Sequence, residues 1–214
     1  MKKKILIFSA GPAGREINQL ILNINKFKSE WDVVGFVDDD KNKIGKKIDE
    51  IEVYSNENKP QKDEIYAICG TMDWKIRKRI FEDEIKKNNY KLTNLIHPSV
   101  DLPKCFKAGL GNVIFGNVHI SFEVQIKNFS IVSNYCDLGH NLITNDYFTA
   151  MPSAIIGGNC EIGKNTLIGS GVKIHQGLKI GSGSKIGMGT IVTSDVKDNS
   201  LVIDHPRKVI KEIK

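Results

Sequence analysis

A proton taken up near neutral pH calls first for histidine, and the chain has five: His97, His119, His140, His175 and His205. The four cysteines, Cys69, Cys105, Cys136 and Cys160, show no paired metal-ligand spacing. They read as reduced structural thiols. A second chemistry is legible near the start. There Ser9-Ala10-Gly11-Pro12-Ala13-Gly14 follows one apolar run, and Asp38-Asp39-Asp40 follows another. A glycine turn opening a helix offers backbone amides to phosphate, and an acid after the next strand suits ribose hydroxyls. General base catalysis by a histidine and a nucleotide or phosphate ligand at the turn are the two chemistries to position.

The turn needs a small α/β domain around it. Ile5–Phe8 reads as a buried strand, Arg15 to about Phe27 as an amphipathic helix, and Val33–Val37 as a second strand. A third strand, Ile65–Cys69, ends at Gly70, and a helix from Asp73 to about Asn88 follows. Three or four strands make a small Rossmann-like parallel sheet. Ser9 stands where the dinucleotide fingerprint has its first glycine, while Gly11 and Gly14 keep the close backbone approach and the helix packing. A turn that serves packing alone is the competing reading. No room is left for a dehydrogenase substrate domain, because the rest of the chain repeats.

From Ile156 to Val192 the chain cuts into sixes: IGGNCE, IGKNTL, IGSGVK, IHQGLK, IGSGSK, IGMGTI, then VTSDVK. An aliphatic opens each block, the fifth residue is small or aliphatic, and glycines allow the turns. Stepping back by six from Ile156 gives Ala150, Thr144, Leu138, Val132, Ile126, Ile120 and Ile114 with no insertion. Only Thr144 and Ala150 are poor inward residues. A period of six is neither helical nor a flat strand. It is the mark of a parallel β-helix, in which three blocks close a coil of about 18 residues and residues 18 apart stack. The expected domains are 1–96 and 97–214.

Lys and Arg exceed Asp and Glu by 31 to 25, a balance that suits phosphate-bearing ligands. No nucleic-acid partner is expected, because no aromatic-and-basic cluster appears and Lys173, Lys179 and Lys185 fall on three faces of the coil. The opening MKKKILIFSAG has too few apolar residues for a signal peptide, and no run approaches the roughly 20 apolar residues of a membrane span. A cytoplasmic protein without membrane insertion is expected.

The turn Ser9–Arg15-Glu16, the stretch Val34-Gly35-Phe36-Val37-Asp38-Asp39-Asp40, Leu95-Ile96-His97-Pro98-Ser99, the hexads and the ending Val192-Thr193-Ser194-Asp195-Val196 together carry a resemblance. The chain resembles the bacterial sugar acetyltransferases that include sialic-acid O-acetyltransferases and nucleotide-amino-sugar N-acetyltransferases. The resemblance implies an α/β nucleotide-binding domain followed by a left-handed parallel β-helix, assembled as a homotrimer. It implies transfer of acetyl from acetyl-CoA to an amine or hydroxyl of a nucleotide-linked sugar, in surface-glycan (lipopolysaccharide) biosynthesis. His140 matches the family's catalytic histidine. The family's thioester contacts fall near Gly157 and Gly158, Arg207 or Lys208 is expected to meet coenzyme A phosphates, and Gly11, Gly14, Asp38 and Asp39 are expected to serve the nucleotide sugar.

Two departures stand out. Asn141 follows His140 where the family has a carboxylate, and Thr149 stands where a second histidine is common. Asn141 can hydrogen-bond the imidazole but cannot stabilise its charge. By the stacking rule Glu123 lies one coil below Asn141, about 4.8 Å away, and is a candidate substitute; a solvated turn residue is the alternative. Two rival functions remain open: a non-catalytic nucleotide-sugar-binding scaffold, and a zinc enzyme like the γ-class carbonic anhydrases. The latter needs three converging histidines, whereas no two here share a column. No metal site is expected.

Overall fold

The computed structural model describes residues 2–61 and 64–204. Strand β1 (Lys3–Phe8) carries the apolar run Ile5-Leu6-Ile7-Phe8, wholly buried at the centre of a six-stranded sheet. Helix α1 (Pro12–Phe27) follows, then β2 (Trp31–Val37), β3 (Lys47–Ile48), β4 (Ile51–Tyr54), β5 (Tyr66–Cys69), α2 (Trp74–Ile80) and β6 (Lys91–Leu92). The sheet order is β3-β4-β2-β1-β5-β6, parallel except for the β3–β4 pair. The sheet is thus larger than the three or four strands expected. Its extra strands are two to four residues long, too short to carry a readable alternation. α1 also begins three residues before the expected Arg15. Pro12 sits at its first turn, where a missing N–H costs nothing and φ is already helical.

The repeat forms a parallel β-helix of two-residue strands on three faces. The first face runs from β7 (Leu95–Ile96) to Leu201–Val202, the second from His119–Ile120 to Ile191–Val192, the third from Lys107–Ala108 to Lys179–Ile180. Every expected inward residue from Ile114 to Val192 is buried. Thr144 and Ala150 keep the register too, both at 0 % exposure.

The turn chemistry is not where the glycines suggested. The residue with left-handed φ is the fourth of each hexad, from Asn117 to Gly189, at +56° to +78°. Asparagine fills this place readily, and glycine does so in the last coils. The second-position glycines answer a different demand. A Cβ on Gly157 would lie 2.6 Å from the backbone nitrogen of Gln176 in the next coil.

The first domain docks on the first face. Ile17, Leu20, Ile21 and Ile24 of α1 pack with Leu95, Val113, Phe115 and Ile131, whose side chains point outward from the coil. On the α2 side, Phe81 meets Phe129, which stacks on Tyr147 one coil above at 5.0 Å. Between these patches the buried Arg77 of α2 reaches into the coil.

Candidate active site

His140 lies at the corner between the second and third faces, in the turn after the strand Asp137–Leu138. Its Nδ1 lies 2.9 Å from Asn141 Oδ1. Asn141 is the left-handed residue of the turn, at φ +56°. Its Nδ2 donates to Glu123 Oε2, 18 residues earlier and one coil below. That donation fixes the amide orientation, because a carboxylate accepts only from the NH₂ end. Asn141 Oδ1 is therefore turned toward the ring and selects the Nδ1–H tautomer. Nε2 is left with its lone pair free, the form a general base requires. The three residues predicted as catalytic are thus joined in one hydrogen-bonded chain.

The ring is also held between coils. Below it Phe122 lies parallel, with centroids 5.3 Å apart and planes 10° apart. Above it is Gly158, where a Cβ would come within 2.5 Å of Nε2. No larger residue fits there without displacing the imidazole. The amide of Gly157 is spent on Ile174 O at 2.9 Å. Gly158, with Gly157 before it, therefore lies against the His140 ring. Arg207, Lys208 and His205 lie outside the described residues.

The remaining histidines differ. His119 Nδ1 is 2.9 Å from Asp137 Oδ1 on the exposed second face. His175 is exposed, with Nδ1 near Gln176 O. His97 Nδ1 accepts from Ser99 N at 3.1 Å, and burial lowers its pKa. Burial pushes the Cys69 thiol up to about 12 and that of Cys136 to about 11, so both stay protonated. Thr149, in the place of a second histidine, is buried and accepts from Arg77 Nη2 at 2.7 Å. It belongs to the junction with the first domain.

At the other site, Ser9 adopts φ +103°. This conformation is one that glycine takes freely and serine at a cost, so the turn keeps the geometry of the fingerprint without its residue. A Cβ on Gly14 would lie 2.0 Å from Ser9 O, and one on Gly70 would lie 2.7 Å from Gly14 Cα. Gly14 thus packs the turn against the end of β5, while Gly11 is the N-cap of α1. Asp38 is committed to the loop: it accepts from Ala10 N at 2.7 Å and Asp40 N at 2.9 Å. Asp39 faces a cleft with Ser9, Asn56, Arg79 and Asp83. Arg79 Nη2 and Asn56 Nδ2 donate to it at 3.0 and 2.8 Å. Sequence reading missed Asn56, Arg79 and Phe122. Asn56 and Arg79 have no motif of their own, but Phe122 is the residue 18 before His140 and the stacking rule would have found it.

Among the described residues, no three His, Cys, Asp or Glu side chains converge to hold a metal. No helix among them is long and apolar enough to cross a membrane.

Residues 4–83 match the family model described as the PglD N-terminal domain. Among solved structures, the chain is similar to the acetyltransferase domain of PglB from Neisseria gonorrhoeae FA1090 in complex with acetyl coenzyme A. That likeness has 22% identity, spans 97% of this chain and 99% of that one, and has a TM-score of 0.83. A mutant perosamine N-acetyltransferase from Caulobacter crescentus, in complex with CoA and GDP-perosamine, is similar at 18% identity over 98% and 97% of the two chains, TM-score 0.82. WeeI from Acinetobacter baumannii AYE is similar at 22% identity over 96% and 99%, TM-score 0.82. No curated protein matches the chain. The family resemblance is borne out in the first domain and in the fold: an α/β domain followed by a left-handed parallel β-helix of hexapeptide repeats.

Proposed function

We propose that the protein is an acetyltransferase that moves acetyl from acetyl-CoA to an amine or hydroxyl of a nucleotide-linked sugar. The observation that carries this is the free Nε2 of His140, clamped between Phe122 and Gly158 and oriented by Asn141 and Glu123. The ligands named for the similar structures support it: acetyl coenzyme A in one, CoA with GDP-perosamine in another.

His140 takes the proton from the substrate nitrogen or oxygen as that atom attacks the thioester carbonyl. The oxyanion that forms needs a donor already in place. With Gly157 N–H bonded to Ile174 O, the Gly158 amide is the donor assigned to it. Collapse expels the coenzyme A thiolate, which recovers the proton from the imidazolium. Glu123 acts at one remove: its charge holds the Asn141 amide and offsets the transient positive charge on the ring. Arg207 and Lys208, outside the described residues, remain assigned to the coenzyme phosphates.

The nucleotide is assigned to the turn at Gly11 and Gly14 and to the cleft of Asp39. Because Asp38 braces the turn and Asp39 faces the cleft, the two substitutions are expected to part. Asp39→Ala weakens nucleotide-sugar binding by about tenfold or more with little change in melting temperature. Asp38→Ala lowers both. Calorimetric titration beside thermal melting reads the difference, and unchanged affinity in both variants moves the nucleotide elsewhere.

A homotrimer in the cytoplasm, serving surface-glycan synthesis, completes the reading. The outward Ile155 and Ile191 of the second face are 41% and 62% exposed in one chain, a surface suited to a second copy. Sedimentation is expected to give a trimer at micromolar protein, and a monomer would remove the assembly. The reaction itself is tested by following thiol release from acetyl-CoA with UDP-, CMP-, GDP- and dTDP-linked sugars. Binding of a nucleotide sugar without turnover would establish the non-catalytic scaffold instead.

A further inference from the structure

The hydrogen bond from Nδ1 to Asn141 ties down one nitrogen of the imidazole but leaves the tilt of the ring plane to whatever packs against its two faces. A base that rotates loses aim. Backbone at Gly158 blocks one face of the ring, and among the described residues the phenyl of Phe122 covers the other. That phenyl is 55% exposed, so burial gives little reason for a large apolar residue there. The two rings lie 10° from parallel with centroids 5.3 Å apart, so the phenyl covers the imidazole face to face. An aromatic face is also a favourable partner for the positive charge that the ring acquires with its proton. Asn141 supplies no charge of its own, and Glu123 reaches the imidazole only through it.

We infer that Phe122 is a positioning residue for His140: its ring holds the imidazole plane, keeps Nε2 aimed outward, and faces the imidazolium during transfer. The inference rests on the acetyltransferase reading of this corner. It predicts which replacements work. Phe122→Leu keeps apolar bulk but has no flat face, while Phe122→Tyr and Phe122→Trp keep one.

The test has a kinetic and a spectroscopic arm. In Phe122→Leu, kcat is expected to fall between about 10- and 100-fold, as for a misaimed catalytic group, with KM for both substrates within about twofold. Phe122→Tyr should restore most of the loss. In nitrogen-15 spectra of the imidazole, the wild-type protein should show one sharp set of His140 signals with the proton on Nδ1, and Phe122→Leu exchange-broadened signals as the ring tilts and its bond to Asn141 is made and broken. Full kcat in Phe122→Leu overturns the inference, and so does a loss of kcat with an unchanged His140 spectrum. If the wild-type protein turns over no nucleotide sugar, the acetyltransferase reading has failed by itself. The spectroscopic arm then decides alone whether Phe122 orients the ring.

Discussion

His140→Ala is expected to lower kcat by about 10²–10⁴-fold, the usual contribution of a positioned general base, with acetyl-CoA affinity almost unchanged. The split follows from the geometry. The imidazole stands at the corner, beneath the Gly158 backbone and above Phe122, and its removal leaves the coil untouched because the ring is not part of the inward column. The lost interaction is one made only as the proton moves, so it appears in kcat and not in ground-state binding. Thiol release under saturating substrates, with circular dichroism to show that the coil is intact, measures it. Full activity in His140→Ala removes the assignment and the mechanism built on it.

The partners of His140 give that experiment internal structure. Glu123 has no path to the imidazole except the Asn141 amide. Glu123→Gln can turn its own amide to accept or donate, so it leaves a neutral chain in place of a charged one. If the charge matters, Glu123→Gln slows the wild-type enzyme but adds nothing to His140→Ala, since two residues acting through one group are not additive. An equal cost in both backgrounds would return Glu123 to the role of a solvated turn residue.

Most of the coil was legible because its rule is one-dimensional. A period of six fixes which residue points inward, and a period of 18 fixes which residues stack. Those two numbers suffice to put Glu123 beneath Asn141 before any coordinates exist. What they could not supply was side-chain direction. The parallel stacking of Phe122 on His140, and the turn of the Asn141 amide toward the ring, depend on rotamers that sequence spacing leaves open. The glycines misled for a related reason: at the second position the constraint comes from the neighbouring coil's backbone, as at Gly157, and not from local φ. In the first domain the strand–turn–helix order was readable from apolar runs and glycines. The short β3, β4 and β6 were not, because pairs such as Lys91-Leu92 become strands only through the partner they find in space. Thr149 shows the same limit. As a missing histidine it looked like a weakened active site, yet its hydroxyl is occupied by Arg77, which is 72 residues away in sequence.

Arg77 carries the largest expected effect on stability. The residue is 1% exposed, and its guanidinium donates from Nε to Phe129 O, from Nη1 to Thr71 O and Met72 O, and from Nη2 to Tyr147 O and Thr149 Oγ1, at 2.7 to 3.1 Å. The acceptors belong to both the first domain and the coil, so one side chain ties the two. All of them are neutral, and burial accordingly lowers its pKa to about 10. A cation whose folded pKa lies below its unfolded value costs stability wherever it is charged in both states. That cost is full at neutral pH and is relieved only as pH rises from about 10 toward the ordinary arginine range. The hydrogen bonds must therefore more than offset it. Arg77→Met removes every donor and leaves buried carbonyls unpaired, a loss of about 3 to 5 kcal/mol, or a fall in melting temperature of about 10 °C for a chain of this size. Arg77→Lys should not rescue it. An ammonium presents its donors from a single point and cannot span Phe129 O and Thr71 O together, and it is more costly to desolvate than a guanidinium. Urea melts of the two variants measure both statements. Limited proteolysis should further show the loop at Thr71-Met72 cut first, because its carbonyls lose their only common partner among the described residues. Wild-type stability in Arg77→Met, or full rescue by lysine, would show that the apolar contacts of α1 hold the first domain on the coil by themselves.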